Sequence, residues 1–378
     1  MDHHPLFCIV PPHMLNEIAK RGSQAQRDFA IRTLRFSEQM RGQRLAVMDM
    51  PILIHLPVTS DVKNRAIYDV NHGSNLPGTV VRQEGDPPGA DVAVNEAYDG
   101  SGVTFDLYKD VYNRLSIDGN GMALTSSVHY QQGYDNAFWD GSQMVYGDGD
   151  ENLPPDQRLF NRFTIAVDVI GHELTHGVTQ FTAKLAYSYQ SGALNESMSD
   201  VFGSLVKQYQ LQQTASQADW IIGAGLFTPN VNGVGIRSMK APGTAYDDPV
   251  LGKDPQPATM SDYVNTSSDN GGVHINSGIP NHAFYVTAVE IGGSAWEKAG
   301  AIWYEVLTNR LNATANFQTA AFQTFQAAGD QYGTGSLEQQ AVKHGWAAVG
   351  IDAETSGGSS NESCLGRVLR LIGAAPAR

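Results

Sequence analysis

The sequence changes character between Asp150 and Leu159, and this change restricts the fold. Upstream, from Asn64, short runs rich in β-branched and aromatic residues (AIYDV, TVVRQ, LTSSVHY and QMVYGDGD) are separated by turn pairs, with one helical stretch at about 91–115. Downstream, the patterns are long and amphipathic, as in helices, beginning with Leu159 to about Gln180 and Asn195 to Leu211. We therefore predict an α+β protein with a β-rich N-terminal lobe and a mainly α-helical C-terminal lobe. Ligand sites favour the cleft between two such lobes.

The two ends of the chain differ from this body. Residues 12–45 have helical composition and predict two short helices joined at Lys20–Gln24. The stretch MDMPILIHLPVTSDV then breaks the pattern with two prolines. These features divide the chain into a helical head (1–50), the β-rich lobe with the metal-binding helix described below (51–185), the helical lobe (186–350) and a Gly/Ser-rich, mobile tail (351–378).

Charge and composition exclude several classes of partner. The net charge of −14 argues against nucleic acid and against anionic membrane surfaces. No run of 18 apolar residues is present, so the sequence predicts no membrane span. The two cysteines, Cys8 and Cys364, do not form a disulfide framework, and their number does not indicate the cellular compartment of the protein. The beginning MDHHPLFCIV has no basic region and does not read as a secretory signal.

A metal-binding pattern lies in the segment VDVIGHELTHGVTQF, inside the first of these predicted helices. His172 and His176 are four residues apart, so on a helix both imidazoles face the same way and can converge on one ion. Zinc accepts neutral imidazole and, in catalytic sites, leaves one position for water. Glu173 is rotated by roughly 100° from His172 and can reach that water without ligating the metal. Such a carboxylate would take a proton as the zinc-bound water attacks a carbonyl carbon.

The segment GALNESMSD supplies the remaining groups of a zinc site. Glu196 would complete a set of two histidines and one glutamate. Asp200 follows one turn later on the same face and can accept the far N–H of a ligand histidine, which fixes the tautomer of that histidine. We expect this helix to start near Gly192 and Asn195.

Six segments, in a fixed order, resemble the thermolysin family of zinc metalloendopeptidases, and within it the protealysin-like group with short prosegments. The resemblance spans roughly residues 64–350 and implies a neutral endopeptidase with one catalytic Zn²⁺ between two lobes. The six segments are VTFDLYKDVYNRLSIDG, SSVHYQQGYDNAFWDGSQMVYGDGD, VIGHELTHGVTQF, SGALNESMSD, IRSM and DNGGVHINSGIPNHAFY.

The resemblance also assigns catalytic roles. It implies that His274, oriented by Asp269, stabilises the oxyanion of a tetrahedral intermediate. It implies that Tyr187 donates to the same oxyanion and that Arg237 binds a carbonyl of the substrate backbone.

Other positions match the substrate groove of the family. Asn136 and Ala137 correspond to residues of a strand edge that pairs with an extended peptide. The wall of the pocket after the scissile bond corresponds to five apolar residues, which implies cleavage before bulky apolar residues: Phe160, Phe163, Val169, Ile222 and Ile236.

The sequence departs from the larger members of the family where they bind calcium beside the zinc helices. Lys207, Ile221 and Ala224 stand at positions where calcium-binding carboxylates are expected, and another appears as Val234. We therefore doubt structural Ca²⁺ and expect the ammonium of Lys207 to neutralise Asp168 in its place.

The head resembles the protealysin-like prosegments through the motif Pro11-Pro12-His13-Met14-Leu15. Prolines stiffen an extended segment and lower the cost of ordering it in a cleft. We expect residues 1–50 to be an intramolecular inhibitor and the enzyme to be a zymogen. Four residues here can ligate zinc, although we favour the interpretation that they do not: His3, His4, Cys8 and His13.

Alternatives remain open at this point. The chain could be a catalytically silent zinc-binding module of the same fold, or another zinc hydrolase such as an aminopeptidase or a metzincin. Thr182 stands where a metzincin would carry its third histidine. We expect peptide or protein substrates. The resemblance implies an extracellular enzyme, with a cytoplasmic location as the alternative.

Overall fold

The N-terminal lobe is built on one six-stranded sheet. The structure is a computed structural model and describes residues 7–47 and 62–356. The strand order is β1-β5-β6-β4-β2-β3, in which β2, β4 and β6 are parallel neighbours and the other pairs are antiparallel. The strands are β1 (Phe7–Cys8), β2 (Arg65–Asp69), β3 (Thr79–Gln83), β4 (Leu124–Val128), β5 (Ala137–Trp139) and β6 (Met144–Tyr146).

Helices dominate the rest of the described chain. Two small antiparallel sheets lie among them: β7 (Ile221–Ile222) with β8 (Arg237–Ser238), and β9 (Asp247–Asp248) with β10 (Gly252–Lys253). The helices are α1 (Pro12–Arg21), α2 (Gln24–Val47), α3 (Val92–Asp106), α4 (Val167–Phe181), α5 (Tyr189–Leu211), α6 (Asp269–Asn276), α7 (Gly278–Ile291), α8 (Lys298–Glu305), α9 (Phe317–Tyr332) and α10 (Leu337–Ala348). The α+β class with a sheet-containing first lobe and a helical second lobe is confirmed. No helix in 7–47 or 62–356 is long and apolar enough to cross a membrane.

Three helix boundaries differ from the sequence expectation. The second helix of the head, α2, is 24 residues long rather than short. The zinc helix begins at Val167 and not near Leu159, because the Asp150 carboxylate accepts the N–H groups of Leu159 and Phe160 and holds them extended. Helix α5 begins at Tyr189, so Asn195 is an interior residue and not a helix start.

Helices α4 and α5 approach each other very closely. At Gly203 a Cβ would lie 2.4 Å from the Asp168 carbonyl oxygen and 3.0 Å from the backbone nitrogen of His172. At Gly171 a Cβ would lie 3.1 Å from the Cα of Gly203. Only glycine therefore permits this packing distance, and the distance brings the side chains of α5 within reach of the imidazoles of α4.

The N-terminal segment, residues 7–47, is part of the same packed body. Strand β1 forms the outer strand of the sheet and pairs antiparallel with β5, with Phe7 opposite Trp139 and Cys8 opposite Phe138. The side chains of Ile9, Met14 and Ile18 are buried in the main hydrophobic core. The segment therefore covers the space between the lobes.

The close approach of α4 and α5 gives a stability prediction. We expect Gly203→Ala to destabilise the fold by about 1–3 kcal/mol, because the new Cβ forces the helices apart, and to weaken zinc binding. The matched control is Gly89→Ala, where a Cβ meets no atom within 4 Å. The melting temperature and zinc affinity of both variants are the measurements. Equal melting temperatures and zinc affinities of the two variants would show that the contact at Gly203 does not set the spacing of α4 and α5.

Candidate active site

Two buried histidines on α4 present one nitrogen each to the same point. The Nδ1 of His172 lies 2.8 Å from Oδ1 of Asp200, and the Nδ1 of His176 lies 2.9 Å from Oδ1 of Asn195. Because both oxygens are acceptors, each Nδ1 carries the proton and each Nε2 keeps its lone pair. The two Nε2 atoms are 3.0 Å apart. Burial, followed by the neighbouring His172, lowers the pKa of His176 well below its usual value, so it is a neutral imidazole.

Glu196 of α5 completes this set. Its carboxylate oxygens lie 3.6 Å from Nε2 of His172 and 3.5 Å from Nε2 of His176. All three side chains are fully buried, and Oε2 of Glu196 has no hydrogen-bond partner in the described structure. Two facing lone pairs beside a buried carboxylate repel one another unless a cation lies between them. The donor set therefore fits a zinc ion, and it is the one metal-binding cluster found among the described residues.

Glu173 lies beside this cluster and against strand β5. Its side chain is completely buried, and Oε2 accepts the backbone N–H of Trp139 at 3.1 Å. The other oxygen, Oε1, has no hydrogen-bond partner in the described structure. Burial and the negative charge of Glu196 raise the pKa of Glu173 well above its usual value. A carboxylate with raised proton affinity and one unused oxygen is suited to accept a proton.

Asp200 connects the metal cluster to Arg237, which contacts the N-terminal segment. It accepts hydrogen bonds from His172, from Nε and Nη2 of Arg237 at 2.8 and 2.7 Å, and from Nδ2 of Asn281 at 2.7 Å. Burial alone would raise the pKa of Asp200, but the Arg237 charge and these hydrogen bonds outweigh burial and lower it. Asp200 is therefore an anion that holds a metal ligand and a cationic side chain together.

His274, Asp269 and Tyr187 form a connected group next to Glu196. Nδ1 of His274 lies 2.6 Å from Oδ1 of Asp269, and the backbone N–H of His274 donates to the other oxygen at 2.9 Å. The Tyr187 hydroxyl donates to Glu196 and lies 3.1 Å from Nε2 of His274. Burial opposes protonation of His274, but the charges of Asp269 and Glu196 outweigh it and raise its pKa. An imidazolium here can donate to a developing oxyanion.

The N-terminal segment occupies the groove beside these groups. The Cys8 carbonyl lies 3.1 Å from Nε2 of His274, and the Ile9 carbonyl accepts from Nη1 of Arg237 at 3.1 Å. The Ile9 N–H donates to the Ala137 carbonyl at 3.3 Å. The Val10 N–H donates to Oδ1 of Asn136 at 2.9 Å, and Nδ2 of Asn136 donates back to the Val10 carbonyl at 3.2 Å. The structure thus brings Asn136, Ala137 and Arg237 together around one extended peptide.

None of the described side chains of the head enters the metal cluster. Cys8 packs with Tyr134 and Phe138, and its Sγ lies 3.8 Å from the Ser37 hydroxyl. Nε2 of His13 contacts the Tyr246 hydroxyl at 3.1 Å, and burial lowers the pKa of His13 to about 4. Direct zinc ligation by Cys8 or His13 is therefore not what the structure shows, and His3 and His4 lie outside the described residues.

The five predicted pocket residues are all buried in the main core, which also holds the Ile9 side chain. Phe160 and Phe163 are ring neighbours with centroids 5.8 Å apart, and Ile222 pairs with Arg237 across β7 and β8. Their location next to Arg237 agrees with an apolar wall, and their part in substrate selection stays a prediction.

Sequence reasoning missed several supporting residues. Asn195 was interpreted as a helix start, yet it holds His176 together with Ser199, whose Oγ lies 3.0 Å from the same Nδ1. Asn195 and Ser199 are four residues apart, as are Glu196 and Asp200, and each lies one position earlier. This second polar pair at helical spacing was a signal that Asn195 and Ser199 also face the metal site. Asn281 was missed because only its fold position brings it to Asp200.

Lys207 lies where the sequence placed it, next to α4. Its Nζ donates to Oδ2 of Asp168 at 3.1 Å, to Oδ1 of Asp219 at 2.9 Å and to the Ile221 carbonyl at 3.0 Å. Asp168 is 1% exposed and Lys207 is 13% exposed. Burial raises the pKa of Asp168, and Lys207 offsets part of this rise. Burial opposes the charge of Lys207, but Asp168 and Asp219 together outweigh it and raise the pKa of Lys207.

Comparison with known proteins agrees with this geometry. Residues 58–180 match the profile described as thermolysin metallopeptidase, catalytic domain, and residues 183–351 match thermolysin metallopeptidase, alpha-helical domain. An extracellular metalloprotease of Pectobacterium carotovorum subsp. carotovorum is 48% identical over 93% of this chain and 98% of its own length. A thermolysin of Alicyclobacillus acidocaldarius is 42% identical over 75% of this chain and 50% of its own length.

A solved structure resembles the chain including its head. The precursor of protealysin, a metalloproteinase from Serratia proteamaculans, superposes with a TM-score of 0.82 at 50% identity, covering 91% of this chain and 99% of that one. The two family profiles, the nearly full-length relatives and the His172, His176 and Glu196 cluster lead to one assignment. This chain belongs to the thermolysin family of zinc metalloendopeptidases, among its protealysin-like members.

Proposed function

We propose that this enzyme is made as a zymogen, cleaves peptide bonds before bulky apolar residues, and uses Glu173 as its proton acceptor. The observation that supports the proposal best is the docked head: a peptide of the chain itself lies extended between Asn136, Ala137 and Arg237, with one carbonyl against His274. That is the arrangement a substrate needs.

The chemistry follows from the order of these contacts. His172, His176 and Glu196 would hold the zinc ion, which would supply Lewis acidity toward a water and a substrate carbonyl. Glu173 takes the proton of the attacking water with its unused Oε1 and passes it to the leaving amine. His274 and Tyr187 donate to the oxygen that becomes negative in the tetrahedral intermediate. Asp269 keeps His274 protonated and oriented.

Backbone contacts position the scissile bond. Since the Cys8 carbonyl faces His274 and the Ile9 carbonyl faces Arg237, the bond between Cys8 and Ile9 occupies the position of the bond to be cut. In a substrate, the residue that replaces Ile9 would point into the apolar wall. The five buried residues Phe160, Phe163, Val169, Ile222 and Ile236 favour a bulky apolar side chain there.

The head acts as an intramolecular inhibitor because it uses the contacts of a substrate. It also contacts the body outside the groove: Nε2 of Gln26 donates to the Gln157 carbonyl at 2.7 Å, and the Thr33 hydroxyl accepts the N–H of Asp135 at 3.1 Å. An inhibitor on the same chain has a high effective concentration and needs no partner. Processing would remove it within or beyond the stretch 48–61, which lies outside the described residues.

We further propose that Lys207 replaces the calcium ion of the larger family members. Its ammonium is held by two carboxylates and a carbonyl, which are the oxygen ligands that calcium would use. A tethered cation neutralises the buried Asp168 at fixed stoichiometry. Relatives of this chain are named extracellular, and we propose the same location for this enzyme.

The role of Glu173 gives the first prediction. Glu173→Ala should bind zinc and fold but lose peptidase activity by at least ~10³-fold, because the proton acceptor is gone. The same variant should stay full length, whereas purified wild type should shed roughly its first fifty residues. Turnover of casein, zinc content and N-terminal sequencing are the measurements. A variant that keeps a tenth of wild-type turnover, or mature wild type that still begins before Pro11, would contradict the assignment.

The second prediction concerns inhibition. In full-length protein, Ile9→Asp should raise the initial rate on a small peptide at least about tenfold, because a buried carboxylate expels the head from the groove. The control is Ile31→Asp in the same segment, since Ile31 is exposed. Rates are measured before processing begins. If Ile9→Asp shows the same slow initial rate as Ile31→Asp, the docked head is not what silences the enzyme.

The third prediction concerns Lys207. Lys207→Met leaves a buried carboxylate without its cation and should lower the stability by roughly 3–5 kcal/mol. Lys298→Met is the control: Lys298 pairs with Glu338 at 2.6 Å but is 52% exposed, so its loss should leave the stability nearly unchanged. Melting curves with and without millimolar calcium test both variants. Strong stabilisation of wild type by calcium, or equal melting of the two variants, would overturn the substitution.

A further inference from the structure

Three strands of the N-terminal sheet deliver metal-binding side chains to one edge. Strands β6, β4 and β2 are adjacent and parallel, so their carboxyl ends meet at the same edge. Asp148 follows β6, His129 follows β4 and His72 follows β2. Open sheets commonly bind ligands at the carboxyl ends of parallel strands. None of these residues belongs to the catalytic cluster.

The three side chains are in contact with one another. Nδ1 of His129 lies 3.0 Å from both carboxylate oxygens of Asp148, and Nδ1 of His72 lies 3.4 Å from Oδ2 of Asp148. The two imidazole rings have centroids 5.6 Å apart. The Asp148 side chain is only 7% exposed, so its charge requires a cation.

A fourth residue, Asp91, holds the far nitrogen of the His129 ring. Nε2 of His129 lies 2.9 Å from Oδ2 of Asp91, whose other oxygen caps the N-terminus of α3. A carboxylate on the far nitrogen of a histidine fixes the tautomer that offers the near nitrogen to a metal. His172 and Asp200 show the same arrangement in the catalytic cluster of this chain.

The backbone at both histidines is held in an unusual conformation. His72 has φ +58° and His129 has φ +55°, in the left-handed region that residues other than glycine rarely adopt. The His72 N–H donates to the His129 carbonyl at 2.9 Å, which locks the two loops together. Two strained histidines fixed side by side point to a function for the pair.

We propose that His72, His129 and Asp148 form a second transition-metal site, with Asp91 as the outer partner of His129. Two imidazoles and one carboxylate suit zinc or a similar divalent transition metal and not calcium. Among the described residues only the catalytic set already has all its donor atoms within 4.8 Å of one another, so His72 must turn to close the second site. It is free to turn because 48% of its side chain is exposed. The bound ion would join the ends of three strands to α3.

The test is zinc binding by the full-length protein, made inactive with Glu173→Ala to prevent cleavage. Equilibrium dialysis against zinc at pH 8, with metal analysis, should show a second and weaker equivalent. His72→Gln should weaken that equivalent by at least about tenfold, with the tight equivalent unchanged. Because His3 and His4 could also bind zinc, the loss of the second equivalent in His72→Gln is what assigns it to the proposed site. The control is His344→Gln, since His344 is likewise exposed and bonded to a carboxylate, Glu290, at 2.7 Å; it should keep both equivalents.

Thermal melting gives a readout that does not depend on activity. Zinc above the first equivalent should raise the melting temperature of the Glu173→Ala protein and of its His344→Gln variant, but not that of its His72→Gln variant. A single zinc equivalent in the parent protein would overturn the proposal. So would a second equivalent that His72→Gln leaves intact, or one that His344→Gln removes equally.

Discussion

The buried carboxylate of Asp200 is the interaction on which the site depends. It accepts hydrogen bonds from a zinc-ligating histidine, from Arg237 and from Asn281 at the same time. These partners come from α4, β8 and α7, so one anion sets the relative positions of three elements. Because Arg237 also holds the Ile9 carbonyl, the orientation of the metal ligand and the position of the bound peptide are mechanically linked. A buried ion of this kind contributes more to the definition of one arrangement than to net stability.

The close packing of α4 against α5 is the second constraint, because it brings Asp200 of α5 within reach of His172 of α4. Gly171 and Gly203 let the helices approach until the imidazoles of one meet the carboxylates of the other. Each of the two metal-binding histidines then obtains an outer partner from α5: Asp200 for His172 and Asn195, five residues earlier, for His176. The difference between an anionic and a neutral partner means that the two imidazoles are not equivalent ligands.

Much of the site could be predicted from the sequence because its residues are close to one another along the chain. His172, Glu173 and His176 share one helix, and Glu196 and Asp200 share the next, so helical spacing alone gives their relation. The role of Asn195 was missed because we expected this residue to start the helix, whereas the helix extends back to Tyr189. Residues that meet only in the fold needed the family resemblance or the structure. Asn281 is 81 positions from Asp200, and Cys8 is 266 positions from His274. The helix start at Val167 was missed because the Asp150 carboxylate accepts the N–H groups of Leu159 and Phe160, which keeps this stretch out of the helix.

Strand β1 completes the sheet at the border formed by β5, and this has a consequence for folding. The border strand Ala137–Trp139 has only three residues, and its free hydrogen-bonding groups are covered by Phe7 and Cys8. Bare sheet borders invite pairing between copies of a chain. While the head stays in place, the border of the sheet on this side is the two-residue strand β1. In the zymogen proposed above, removal of the head would expose β5, whose three residues can pair with an extended peptide but offer little length for a second sheet. The shortness of both strands therefore limits self-association with the head in place and without it.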